Sequence, residues 1–177
     1  MRTQYDQADV HRLIDQLVSE ISAAFLASSP LTIIGIRTRG ETLAGRIASG
    51  LTDRGFSRIA RGVLDITMYR DDLSEIGPRP LVRPTDIAVD INQKPLLLVD
   101  DVLFTGRSIR AALNALTDYG RPSVIRLAVL VDRGGRELPI QGDFVGMQTG
   151  DLSRDHRVNV RLSENDGRDE ILVESKH

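Results

Sequence analysis

The stretch Leu96–Ser108 constrains the fold more than any other part of this chain. Leu96, Leu97, Leu98 and Val99, bounded by Pro95 and by Asp100 and Asp101, read as a short strand buried on both faces, the kind found inside a parallel sheet. Thr105-Gly106-Arg107-Ser108 then turns into a helix whose apolar positions Ile109, Ala112, Leu113 and Leu116 recur at helical spacing. Chemistry is therefore expected where the strand ends. Backbone N–H groups around Thr105–Ser108 form an anion nest at the positive end of the helix, with the Thr105 and Ser108 hydroxyls as further donors, and a phosphate fits that description. Asp100 and Asp101, one short loop away, are acceptors suited to a vicinal diol or to water on a divalent cation. A mere helix cap needs one acidic or hydroxyl residue, not an adjacent pair. The implied ligand is a ribose 5-phosphate.

A second anion site is expected at the end of the first core strand, Leu31–Ile36. The turn Gly35–Gly40 carries Arg37, Thr38 and Arg39, and a helix with Leu43, Ala44, Ile47 and Leu51 follows. Arg39 is suited to grip phosphate oxygens with both arms of its guanidinium. Alone, the turn reads equally well as a salt-bridged surface loop; beside the Asp100–Ser108 loop it reads as part of one site, because open parallel sheets gather their loops at the strand ends. Gly62–Tyr69 reads as another strand. The segment from Arg70 to Pro84 is polar, with arginines at 70, 79 and 83 and several prolines, and reads as a lid or, alternatively, as a disordered surface loop of no catalytic role.

Elsewhere, Val10, Leu13, Ile14, Leu17, Val18, Ile21, Ala24 and Phe25 predict one apolar helix face, starting near Asp9, with His11, Arg12 and Asp15 toward solvent. Asp86–Ile91 reads as a short strand and Val124–Val131 as a core strand ending in Asp132-Arg133-Gly134-Gly135-Arg136. Asp132 and Arg133 fit either the flank of the site or an ordinary charged turn. Val158–Leu162 and Ile171–Val173, with Asp166-Gly167 between them, predict a C-terminal hairpin.

With 177 residues the chain suits a single domain spanning residues 1–177. Its net charge of −2 gives no global attraction to nucleic acid, so an RNA site would have to be a local basic patch. There is no cysteine, which excludes disulfides, thiolate metal sites and a cysteine nucleophile. No signal-like stretch and no run of about 18 apolar residues is present, so a cytoplasmic location is expected. A dinucleotide-binding reading is weak, since no Gly-x-Gly-x-x-Gly follows the first strand.

Leu96–Ser108 resembles the phosphoribosyl pyrophosphate (PRPP) signature of the type I phosphoribosyltransferases, with Ser108 where threonine is more usual. Gly35–Gly40, Leu64–Leu73, Leu97–Leu116, Gly120-Arg121-Pro122 and Leu127–Ile140 are similar to one subfamily, the PyrR proteins, and the likeness runs from about Val10 to Glu174. It implies an α/β fold: a single type I phosphoribosyltransferase domain with a mostly parallel central sheet, a flexible lid loop and a C-terminal hairpin that hoods the base. It also implies the reaction of uracil with PRPP to give UMP and pyrophosphate, a homodimer or larger homo-oligomer, and no membrane partner. Mg²⁺ would be carried mainly by substrate oxygens, without a dedicated set of protein ligands.

In that frame Asp100, Asp101 and Arg39 are the catalytic candidates. Asp100, Asp101, Val102, Leu103, Phe104, Thr105, Gly106, Arg107 and Ser108 hold ribose and 5-phosphate; Thr38, Arg39, Gly40, Arg70 and Arg83 hold pyrophosphate; Asp132 and Arg133 stand on the base side. Asp65 is a candidate general base. The alternative is a regulator that binds pyrimidine-operon leader RNA and attenuates transcription, its nucleotide site sensing UMP or PRPP with weak or no catalysis. Here the chain departs from the pattern: Asp15 and Ser19 replace threonine and histidine, Gln141 and Met147 stand where basic residues are common, and Gly135 replaces a histidine. Each lost cation removes a phosphate contact. A purine base as the acceptor is a further alternative.

Overall fold

The central strand is longer than its apolar run. In the computed structural model, which describes residues 2–71, 83–150, 152 and 155–175, β4 spans Pro95–Leu103 and carries Asp100 and Asp101 within its ladder, with Asp100 opposite Val129. The two acids therefore stand on the strand itself and not in a loop after it. Backbone pairing does not depend on side-chain charge, so the ladder continues past Val99 as long as a neighbour is in register.

β4 is the middle of a five-stranded parallel sheet ordered β3-β2-β4-β5-β6, built from β2 (Leu31–Ile36), β3 (Ile59–Leu64), β5 (Val124–Asp132) and β6 (Phe144–Gln148). All six residues of β2 are buried, as expected of a strand covered on both faces. Helices α1 (Gln7–Ala24) and α2 (Arg39–Asp53) pack on one face of the sheet and α3 (Arg107–Leu116) on the other, giving two apolar clusters that β4 divides: Leu97 and Val99 face one, Leu96 and Leu98 the other. Strand alternation alone produces that division.

Helix α1 begins earlier than its apolar face predicts. Asp6 caps it, accepting the Asp9 N–H at 3.0 Å while the Asp9 carboxylate accepts the Asp6 N–H at 3.3 Å. Val10, Leu13, Ile14, Leu17, Val18 and Ile21 are buried as predicted, whereas Ala24 is exposed and Phe25 ends the helix. His11, Arg12 and Asp15 are exposed, as expected. In α2 the expected Leu43, Ala44, Ile47 and Leu51 are all buried.

Three predicted elements are corrected. β3 covers Ile59–Leu64, earlier than the predicted 62–69, and Thr67–Tyr69 is a turn of 3-10 helix, because the Asp65 carboxylate accepts the Thr67 N–H at 2.7 Å and closes the turn. Asp86–Ile91 contributes only a single bridge, between Asp86 and Val63. The C-terminal hairpin, β7 (His156–Arg161) against β8 (Glu170–Ser175), turns through a one-turn helix α4 (Ser163–Asp166) that ends on Gly167 at φ 76°. It belongs to a second sheet, in which β1 (Arg2–Tyr5) adds to the other side of β8. Most of the predicted lid, residues 72–82, lies outside the described residues. No helix among the described residues is long and apolar enough to cross a membrane.

Candidate active site

Two glycines bring the loops together. A Cβ on Gly35 would lie 2.4 Å from the Gly40 carbonyl oxygen, and one on Gly40 would lie 2.6 Å from that of Val99. Real side chains never come that close, so glycine is what lets the turn between β2 and α2 press against β4 immediately before Asp100. The Arg37–Thr38 peptide within this turn is cis. Thr38, Arg37, Asp100 and Asp101 consequently line one cavity of about 390 Å³, together with Asp65 and Arg83. A second cavity of about 580 Å³ lies beside it, lined by Val102–Ile109. The two share Arg70, Val102 and Ser108 in their walls.

The turn between β4 and α3 leads into a helix, as its small residues predict. Gly106 sits at φ 91° and caps α3, a conformation that a Cβ would strain. The Thr105 hydroxyl accepts the Arg107 N–H at 3.3 Å, and the Thr105 carbonyl accepts the N–H groups of Glu137 and Leu138 at 3.0 and 3.1 Å, which ties the loop to the segment after β5. The N–H groups of the first turn of a helix have no acceptors within it, so this loop offers donors to an anion. The Arg107 side chain points elsewhere: its Nε donates to Glu137 at 2.8 Å, and Asp71 bridges it to Arg110. What Arg107 offers an anion here is its backbone.

Asp100 is buried and Asp101 half-buried. Each accepts one backbone N–H, that of Asp101 and of Val102 respectively, both at 3.0 Å. Burial, and then the neighbouring Asp101, push the Asp100 carboxyl well above the usual carboxylate range. Burial also raises Asp101, against the opposing pull of the Asp100 side chain and of Arg39.

Arg39 is brought beside the acids but is engaged on its other side. Its Nε and Nη2 donate to the two oxygens of Asp166 at 3.0 and 2.7 Å. The bidentate grip expected for a phosphate is thus made to a carboxylate of α4. Asp166 is a residue that the sequence reading missed; its place in an Asp-Gly pair reads as turn chemistry, and nothing local marks a partner 127 positions away. Around it, Thr42 donates to Asn165 at 2.6 Å, and Arg46 holds Glu164 and Asp169, fastening α4 along α2.

On the far side of the Thr105–Ser108 turn, Arg133 is buried with its guanidinium 3.8 Å from the centroid of the Phe104 ring. Asp132 accepts the Gly134 N–H at 2.9 Å and pairs with Arg136, which also donates to the carbonyls of Ile140 and Phe104 at 2.7 and 2.8 Å. Neither Asp132 nor Arg133 lines the two cavities; Asp132 borders a separate one of about 730 Å³.

A parallel sheet with a phosphate nest, an acid pair and a glycine-fastened loop at adjoining strand ends is the arrangement of a phosphoribosyltransferase, and the model of the phosphoribosyl transferase domain matches residues 2–162. Among solved structures, a hypoxanthine-guanine phosphoribosyltransferase of Bacillus anthracis superposes with a TM-score of 0.67 over 98% of this chain and 99% of its own, at 14% identity. A Trypanosoma cruzi hypoxanthine phosphoribosyltransferase gives 0.66 over 83% and 77%, at 18%. At such identities the likeness is one of fold. Sequence relatives are nearer: "Bifunctional protein PyrR" of Roseiflexus sp. is 52% identical over 92% of this chain and 88% of its own, and that of Thermus aquaticus 50% over 95% and 92%. The chain belongs to the PyrR family.

Proposed function

We propose that this protein transfers the phosphoribosyl group of PRPP to uracil, releasing pyrophosphate and UMP. The observation that carries the reading is the abutment of two cavities, one walled by the phosphate loop and one by the acid pair and the Thr38 turn, with Ser108 and Val102 in both. A ligand with a 5-phosphate at one end and a pyrophosphate at the other, joined by a ribose, spans that pair. Membership of the PyrR family supports the pyrimidine context.

In this reading the nest at Thr105–Ser108 binds the 5-phosphate, and Asp100 and Asp101 accept hydrogen bonds from the ribose hydroxyls. The C1–O bond breaks with its electron pair leaving on pyrophosphate, the uracil nitrogen bonds to C1, and its proton passes to solvent. Positive charge develops on the ribose beside two carboxylates with few cations near them, which is where it is best stabilised. Arg83 and the Thr38 turn meet the pyrophosphate. Arg39 acts at one remove, as the cation next to Asp101. Asp132 and Arg133 brace the base side through Phe104.

Among the described residues no group of three or more carboxylate and imidazole side chains gathers to hold a metal. An adjacent pair of carboxylates, one buried and one half-buried, does fit Mg²⁺ held mainly by substrate oxygens and water. Such an ion would neutralise charge on the pyrophosphate.

The test is uracil-dependent pyrophosphate release from PRPP with Mg²⁺, with hypoxanthine, guanine and adenine as rivals. Turnover with uracil alone is the expected result; turnover with a purine instead overturns the choice of base.

The relatives' description as bifunctional favours a second reading, binding of pyrimidine-operon leader RNA. The positions concerned weaken it, since Asp15, Ser19 and Gln141 are exposed and carry no positive charge. Titration with leader RNA over a salt series decides it: steep salt dependence is the signature of phosphate contacts.

A further inference from the structure

Asp65 lines the same cavity as the acid pair, and a carboxylate there invites the role of general base. Its bonding argues otherwise. Oδ1 accepts the N–H of Thr67 at 2.7 Å and Oδ2 accepts the N–H of Arg83 at 2.6 Å, so the two oxygens hold backbone from two residues well separated in sequence. The Asp65 N–H donates to the Thr85 hydroxyl at 3.0 Å, and Val63 and Asp86 exchange backbone hydrogen bonds at 2.8 Å just below. From the other wall of the cavity, Arg37 Nε donates to the Pro84 carbonyl at 3.2 Å, and Arg83 Nη1 reaches the Thr38 hydroxyl at 3.4 Å.

Residues 83–86 are thus pinned between the end of β3 and the turn that carries Thr38, with Asp65 as the pin that sets the Arg83 backbone. Burial opposes ionisation of Asp65, but the hydrogen bonds from Thr67 and Arg83 and the charge of Arg37 outweigh it and hold the carboxyl below the usual carboxylate range. A carboxylate held in this way is a poor proton acceptor near neutral pH.

We propose that Asp65 is a positioning residue: by fixing the Arg83 backbone it presents the Arg83 guanidinium beside Thr38 to the pyrophosphate end of the substrate, and it does not accept the proton of the base. The proposal rests on the phosphoribosyl-transfer reading above. It gives the transfer no protein general base on this wall, in keeping with a leaving group that departs before the nitrogen has bonded.

The experiment compares Asp65→Asn, Arg83→Ala and the double variant by steady-state kinetics from pH 5 to 9 and by calorimetric PRPP binding to the full chain. In Asp65→Asn one carboxylate oxygen becomes an amide that faces an N–H donor, so the pin opens. The expected result is a rise in the KM and Kd for PRPP of about tenfold, the size of one lost charge-assisted hydrogen bond, with kcat within about threefold of wild type. The shape of the kcat pH profile stays the same, and the double variant is no weaker than the weaker single one. A loss of kcat of about 10² or more with the acid limb of the profile gone would make Asp65 the base and overturn the proposal. Additive losses in the double variant would overturn it too, since Asp65 would then act without Arg83. Arg83→Ala changes an exposed side chain, so it reports even where Asp65→Asn folds poorly: an unchanged Kd for PRPP there refutes the proposal. If wild type binds PRPP but turns over no uracil, the transfer reading fails while the binding measurements still judge the pin.

Discussion

Asp100 and Asp101 on β4, and Asp166 and Asp169 around α4, are the same side chain in opposite surroundings. The pair on β4, Asp100 buried and Asp101 half-buried, accepts two backbone N–H groups and makes no ion pair among the described residues, and its carboxyls are pushed upward. Asp169 is as deeply buried, with its side chain 1% exposed, yet it accepts two hydrogen bonds from Arg46, one from the Ser163 N–H and a contact from His11 Nε2. Burial works against its ionisation, but Arg46 and Ser163 hold its carboxyl down at about 2. A carboxylate satisfied by its own chain has little left to offer a ligand. One left short of positive partners is costly to the fold and available to a substrate, which is the signature of a functional site.

The largest expected effect breaks the first half of that contrast. Asp100→Asn/Asp101→Asn should lower the rate of phosphoribosyl transfer by about 10²–10³ without lowering the melting temperature, because the amides carry no buried charge. A parallel loss of stability and activity would show that the acids are structural.

Asp169→Asn should do the reverse. Removing the buried carboxylate weakens the hold on Arg46, which keeps Glu164, at a cost of about 2 kcal/mol in urea unfolding, while transfer measured well below the melting temperature stays within about threefold of wild type.

The pH dependences of the two sites have opposite signs. The Asp169 carboxyl is lowered on folding, so its contribution, about 2 kcal/mol, is fully present above pH ~4 and is lost as pH falls toward 2. The deficit of Asp169→Asn therefore shrinks in acid. The Asp100 carboxyl is raised, so wild type loses stability relative to Asp100→Asn as pH climbs above about 4. Urea unfolding over a pH series, with both variants beside wild type, reads both slopes.

Smaller effects sharpen the comparison where the two groups meet. Asp166→Asn loosens Arg39, the cation shared between α4 and Asp101, and should slow transfer about tenfold with little change in urea midpoint. The ion pair of Arg126 with Asp143 lies away from both sites, with the arginine 53% exposed, and Arg126→Ala should cost less than about 1 kcal/mol.

Much of this was legible in the sequence wherever a local rule governs. β2 and the buried face of α2 follow from apolar spacing, and the turn from β4 into α3 from small residues between a strand and a helix. What was missed depends on contacts remote in sequence. β1 is polar and becomes a strand only by pairing with β8. β6 is interrupted by Gly146, which reads as a breaker; a Cβ there would sit 2.7 Å from the Leu130 carbonyl oxygen, so glycine is what allows β6 to lie close to β5. The Asp65 carboxylate looks like a reactive group in the sequence because the Arg83 N–H that occupies it is eighteen positions away. The acids on β4 were found and their loop position was wrong, since an apolar run marks what is buried and not where pairing stops.

The pairing of β1 with β8 also sets an order of events during synthesis. Gln4 donates to Glu170 across 166 positions of sequence, and Arg2 lies opposite Glu174. At about 5–20 residues per second, the first strand waits roughly ten to thirty seconds for its partner to be made. Meanwhile β2, β4 and β5 can already assemble the parallel sheet. The small antiparallel sheet closes last, and with it the hold of α4 on Arg39, so a ribosome-bound chain can display the Thr105–Ser108 turn before Arg39 has its carboxylate partner.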